Sequence, residues 1–172
     1  SSVTFTTDKT APALAVITPP ADSKISSVVQ VSGTADDPNW QTNSGIANEK
    51  NIEVQVYYLQ AGDTYYYDGA VSFSSYTLND ANSWRSAIAW TIAGPSSGTW
   101  TYNPGGLAGA MEANKDHVFA FRARARDNAL PAANVSAPVG NYNVIYDHTK
   151  PVSRVTYPSH NHSRQHRRRR AP

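Results

Sequence analysis

Asp8-Lys9-Thr10-Ala11-Pro12 returns near the other end of the chain as Asp147-His148-Thr149-Lys150-Pro151. The offset is constant, because Pro12 and Pro151, Val16 and Val155, and Pro19 and Pro158 are each 139 residues apart. Ahead of each motif, β-favouring residues fall at every second position: Val3, Phe5 and Thr7 before the first, Tyr142, Val144 and Tyr146 before the second. A period of two that stops at Asp reads as the end of a strand. A strand edge recurring at a fixed distance encloses one structural unit between copies of itself. The expectation is therefore that residues 1–7 close a preceding repeat, 8–147 form one repeat, 148–159 begin the next, and 160–172 stand apart.

Between the edges, helical periodicity is almost absent. Turn residues break the chain at short intervals, and the runs between them are rich in Val, Ile, Thr, Tyr, Phe and Trp, the pattern of an all-β sandwich. Strands are predicted over residues 14–18, 27–33, 51–59, 84–92, 99–102, 117–126 and 139–146. In 117–126, Phe119, Phe121, Ala123 and Ala125 share one face and are assigned inward. Arg122, Arg124 and Arg126 take the other, a solvated stripe opposite Glu53. Tyr142, Val144 and Tyr146 are likewise assigned inward. Tyr65-Tyr66-Tyr67, a turn at Asp68-Gly69 and Ala70-Val71-Ser72-Phe73 read as an inserted, exposed hairpin that the sandwich can do without. Residues 107–114 allow a helical turn, with Gly109 against anything longer.

The chain has 172 residues, 40% of them hydrophobic, enough for one sizeable core. No apolar run approaches the roughly 20 residues of a membrane span, so no membrane insertion by this segment is expected. It contains no cysteine, which leaves a cytosolic and an exported bacterial protein equally open. The formal charge of +2 misleads: five arginines at 164 and 167–170 follow all 13 acids, leaving 10 basic residues against them. A mildly acidic body argues against a nucleic-acid partner. The tail, 160–172, has almost nothing apolar to pack and is expected to be disordered, a remnant of expression cloning in preference to a functional basic arm.

Two spellings of catalytic motifs lose their force in context. Gly94-Pro95-Ser96-Ser97-Gly98 matches the nucleophile elbow, but that chemistry needs a helix to lead out and here a strand follows. His160-Asn161-His162 resembles a nuclease triplet but lies in the tail, without a folded frame for a metal. Asn134-Val135-Ser136 and Asn161-His162-Ser163 fit the glycosylation acceptor pattern, which is frequent by chance. No enzyme is expected.

Taken together, the Asp8 edge and its echo, Val31-Ser32-Gly33-Thr34-Ala35-Asp36 followed by Ser44-Gly45-Ile46, Ile52-Glu53-Val54-Gln55-Val56, Gly98-Thr99-Trp100-Thr101-Tyr102 and the run from Phe121 through Arg126-Asp127-Asn128-Ala129 resemble the bacterial immunoglobulin-like repeats of large surface and adhesin-type proteins. The resemblance covers residues 8–158. It implies an immunoglobulin-like Greek-key β-sandwich of about seven strands, here with the Tyr-rich hairpin inserted, and an extracellular, cell-surface setting. It also implies a spacer or stalk role with adhesion and no catalysis, whose partners are neighbouring repeats of the same chain and a surface glycan or protein. The alternative is a carbohydrate-binding or accessory module of a secreted enzyme.

Two sets of candidate site residues follow. In that topology the start of strand one, the loop after strand two and the loop before the last strand share a pole, so Asp8, Asp36, Asp37, Asp127 and Asn128 are expected to converge. Carboxylate and amide oxygens gathered in this way suit calcium, which takes six to eight of them; the plainer alternative is loop capping through Asx turns. Tyr65, Tyr66 and Tyr67, with Trp40, Tyr57, Tyr76 and Trp84, are candidates for stacking on a glycan. The alternative for these rings is cross-strand packing within the hairpin.

Overall fold

The computed structural model describes residues 7–27, 30–38, 45–94, 96–154 and 156. The strand expected in 1–7, Trp40 and the tail lie outside these, apart from Thr7. The strands form two sheets. One contains β1 (Ala13–Thr18), β3 (Val31–Asp36), β9 (Ser97–Tyr102) and β8 (Ala89–Ile92), in the order β1-β3-β9-β8. The other runs β2-β11-β10-β4-β5-β6, formed by β2 (Lys24–Ile25), β11 (Val139–Tyr146), β10 (Val118–Ala125), β4 (Ile52–Gln60), β5 (Asp63–Tyr67) and β6 (Phe73–Ser74), with β7 (Arg85–Ser86) also paired to β4. Their inner faces make one core, to which the smaller sheet gives Val31, Ala35, Trp100 and Tyr102 and the larger gives Ile52, Val54, Val56, Phe119 and Phe121.

The alternation predicted for 117–126 holds: Phe119, Phe121, Ala123 and Ala125 are all buried. They face Tyr58, Val56, Val54 and Ile52 on β4 in unbroken register. In the opposite sheet Trp100 lies across Gly33, its strand partner, and its indole N–H donates to Thr34 O at 3.2 Å. A Cβ on Gly33 would come 1.8 Å from Ala15 O and 2.6 Å from the Trp100 ring, so only glycine admits both neighbours. One end of the core is closed by α1 (Leu107–Ala113), which buries Leu107, Ala110 and Met111.

Strand directions define two poles. β1, β11 and the short β2 all run away from the pole where β3 and β10 end. β2 lies parallel to β11, and three bonds join the segments: Asp22 N to Tyr142 O (3.0 Å), Ile145 N to Ser23 O (2.9 Å) and Asp147 N to Ile25 O (2.9 Å).

Three expectations need correction. The hairpin is no exposed appendage. β5 and β6 extend the larger sheet, Tyr67 is 1% exposed, and Tyr65 and Phe73 pack against the core. Tyr65 stacks parallel on Tyr58 at 5.0 Å, and Phe73 lies 5.5 Å from Tyr67 and 5.6 Å from Phe119. The turn rests on the start of α1, where a Cβ on Gly106 would meet Ala70 O at 1.6 Å. Burial pushes the Tyr67 phenol up to about 12, with Asp68 adding to the effect, and its hydroxyl donates to Ala70 O at 2.8 Å.

The arginine stripe is also not simply solvated, because the chain between β6 and β7 folds back over it. Gln55 Nε2 donates to Ser83 Oγ (2.6 Å) and Asp80 O (3.2 Å), and Arg122 Nε donates to Gln55 Oε1 (2.9 Å). The Arg124 guanidinium lies 4.3 Å from the centre of the Trp84 ring. Glu53 is indeed opposite Arg124 and pairs with both Arg124 (2.7 Å) and Arg126 (3.0 Å).

Tyr142 does not share a face with Val144 and Tyr146. The register of β11 against β10 shifts between Phe119 and Phe121, and Asn143 sits at φ 59. One extra residue in a strand reverses the faces on either side of it. Asn141 therefore points inward and donates to Val16 O (3.1 Å) and Pro19 O (2.7 Å), while Tyr142 turns outward, 43% exposed.

Replacing Tyr67 with Ala should cost about 3–5 kcal/mol, a fall in melting temperature of about 6–20 °C for a domain of this size, readable by calorimetry. Glu53→Gln, which leaves two partly covered arginines facing a neutral group, should cost about 1–2 kcal/mol in chemical denaturation, between the values for exposed and buried pairs.

Candidate metal centre at the acidic pole

Three chain segments meet where β3 and β10 end and β1 begins. Asp8 lies ahead of β1, Asp37 directly follows β3 and Asp127 lies two residues beyond β10. One carboxylate oxygen from each falls within 4.8 Å of the others. Asp37 is fully buried, Asp127 is 1% exposed and Asp8 is half-buried.

Each acid is positioned by local chemistry. The Asp8 carboxylate accepts the Thr10 amide at 2.9 Å, an Asx turn that fixes it before the strand starts. Strand alternation places Asp37: Ala35 is buried, Asp36 faces solvent and Asp37 turns in, with its amide donating to Ser96 O at 2.8 Å. Asp127 organises the loop after β10. Its Oδ1 accepts the amides of Ala129 (3.0 Å) and Asn134 (2.7 Å), and its Oδ2 accepts Asn134 Nδ2 (2.7 Å).

Of the five residues expected to converge, Asp8, Asp37 and Asp127 do so. Asp36 does not, since the strand carries it to the opposite side. Asn128 is turned away, its Oδ1 accepting Asn51 Nδ2 (3.2 Å) and its Nδ2 donating to Gly45 O (3.1 Å). Asn134 was missed. Its amide group donates to Asp127 and also to the Asp8 carbonyl oxygen (3.2 Å), so it ties two of the acids together. The only signal at that position was the Asn-Val-Ser spelling, and Ser136 too is engaged, its Oγ accepting the Ala125 amide at 2.9 Å.

The donor set consists of hard carboxylate oxygens, a set that can hold a hard metal cation. Like charges this close repel, and a divalent ion removes that repulsion while linking three segments.

The tyrosines divide by strand alternation. Tyr65 and Tyr67 turn into the aromatic cluster, so they do not form a glycan platform. Tyr66 lies on the outer face against Tyr57, ring centres 5.6 Å apart. Gly94 and Ser97 belong to a tight link between the antiparallel strands β8 and β9, with Gly94 N donating to Ser97 O at 3.1 Å. No family model, curated protein or solved structure matches the chain.

Because Asp127 shapes its own loop, Asp127→Asn should destabilise the protein by about 1–3 kcal/mol even in chelator, since one oxygen that accepts from Asn134 becomes a donor. Asp8→Asn should leave the unfolding midpoint in chelator almost unchanged. Chemical denaturation in chelator compares the two.

Proposed function

We propose that residues 8–147 are one immunoglobulin-like repeat of a bacterial cell-surface protein, a non-enzymatic spacer in a tandem array, with a calcium ion held by Asp8, Asp37 and Asp127 where one repeat meets the one before it. The observation that carries this reading is a local structure formed twice. Asp147 Oδ1 accepts the Thr149 amide at 3.0 Å, as Asp8 Oδ1 accepts the Thr10 amide at 2.9 Å. The two turns stand at opposite poles, so each repeat would deliver to the next a carboxylate already oriented as Asp8 is.

The strand order supports the fold half of the proposal. Taking β1, β3, β4, β8, β9, β10 and β11 as the main strands, the first, second, fifth and fourth share one sheet and the seventh, sixth and third the other, which is the immunoglobulin arrangement. Opposite poles for the incoming and outgoing chain suit an extended stalk. At the outgoing end, His148 Nδ1 sits 2.7 Å from Glu112 Oε2 on α1, which docks the connection against the domain.

After chelation, millimolar calcium should raise the melting temperature by about 5–10 °C, the effect of roughly 2.7 kcal/mol from saturation at one hundred times the dissociation constant. Asp37→Ala should lose the shift. No shift with calcium, magnesium or manganese would remove the ion from the proposal. A two-copy protein joined at the Asp147 edge tests the array: small-angle scattering should give an elongated particle, and two copies orienting independently would count against a stalk.

A further inference from the structure

The outer face of the larger sheet is divided in two. Its half toward the acidic pole lies under the segment carrying Asp80, Ser83 and Trp84. The other half is open, and there the register aligns a row of side chains across four strands. Tyr66 on β5 pairs with Tyr57 on β4, Tyr57 pairs with Ala120 on β10, and the Tyr142–Asn143 bulge of β11 lies beside Ala120. Adjacent strands lie about 4.8 Å apart, so Tyr57 and Tyr142 rise from backbones roughly 10 Å apart with only a methyl group between them. The result is a cleft of about 330 Å³. Ala120 is its floor, Tyr57 and Leu59 form one wall, Tyr142 and Asn143 the other, and Asp116 borders it.

One residue of each wall is held in place before anything binds. Tyr57 has Tyr66 on one side and the Arg122 guanidinium 5.2 Å from its ring centre. Arg122 is itself fixed by Gln55 and Asp80. On the other wall, Asn143 Nδ2 donates to Asp22 Oδ1 at 2.8 Å, and the bulge alone turns Tyr142 outward. A regular strand would have buried that ring; bulges commonly re-aim side chains next to binding sites. Leu59 and Tyr142 stay exposed beside these fixed groups.

The chemistry selects among ligands. The cleft offers aromatic and aliphatic walls tipped with phenol hydroxyls and an amide, bordered by the Asp116 carboxylate and the His117 imidazole. A pyranose ring presents C–H groups on its faces and hydroxyls around its rim, so walls and tips meet complementary groups. A nucleotide base would also stack, but its phosphates would face Asp116. A peptide strand needs a free sheet edge, and β10 is paired on both sides. Acidic sugars meet the same carboxylate as phosphates do.

We propose that this cleft binds a neutral glycan, with one sugar ring seated over Ala120 between Tyr57 and Tyr142. The proposal is independent of the cation and of the array.

Native gels of the full chain cast with a soluble β-glucan, a mannan or a galactan, against a gel without polysaccharide, read it directly. At least one polysaccharide should slow the protein. Tyr142→Ala, and separately Ala120→Leu, which fills the floor from outside the core, should each weaken binding at least tenfold. Ile92→Ala, an exposed side chain on the other sheet, should bind as the parent does, and chelator should change nothing. Melting curves establish that the variants are folded, and either one suffices if the other is not. Normal mobility in all three polysaccharides, or retardation that survives the folded cleft variants, overturns the proposal.

Discussion

A sandwich is stable only while each strand keeps its alternation in phase with the buried face, since a slip of one residue exchanges core for solvent along the whole strand. β4 and β10 meet this constraint without interruption, and the rest of the molecule is arranged around their shared inner face. Trp100 reaches that face from the opposite sheet because Gly33 leaves room beneath it. α1 and the ring cluster of Tyr58, Tyr67, Phe73 and Phe119 close it at the far pole. The acids at the other pole occupy the ends of the same strands, so their convergence depends on that phase as well.

What could be read in advance divides along the same line. The buried set of β10 was legible because its alternation is local and its arginines mark the outer face. Asp8, Asp37 and Asp127 were legible once a topology was assumed, as strand ends at one pole meet whatever the side-chain detail. Asp36 and Asp37 could not be separated, because the choice depends on where in its alternation β3 stops. Asn128 and Asn134 were beyond reach, since a loop's internal hydrogen bonds are decided by its closure and leave no periodic trace.

Two of the remaining errors share one physical cause, coverage by distant chain, and the third comes from a bulge. The Tyr-rich segment looked exposed because nothing in its own residues reveals that the larger sheet continues through β5 and β6 onto α1. The arginine stripe looked solvated because Trp84 reaches it from another loop. Tyr142 looked buried because a single unpaired residue reverses a strand, and Asn143 carries no mark of it beyond being a residue that tolerates positive φ.

The parallel pairing of β2 with β11 has a mechanical meaning. A pull on the two ends of the domain draws the leading segment toward the acidic pole and β11 toward the far pole. The bonds Asp22–Tyr142, Ser23–Ile145 and Ile25–Asp147 lie across that direction of travel, so they bear the load together in shear and cannot be opened one after another like a zip. This short patch, which contributes little to the core, is therefore where resistance to stretching would be concentrated.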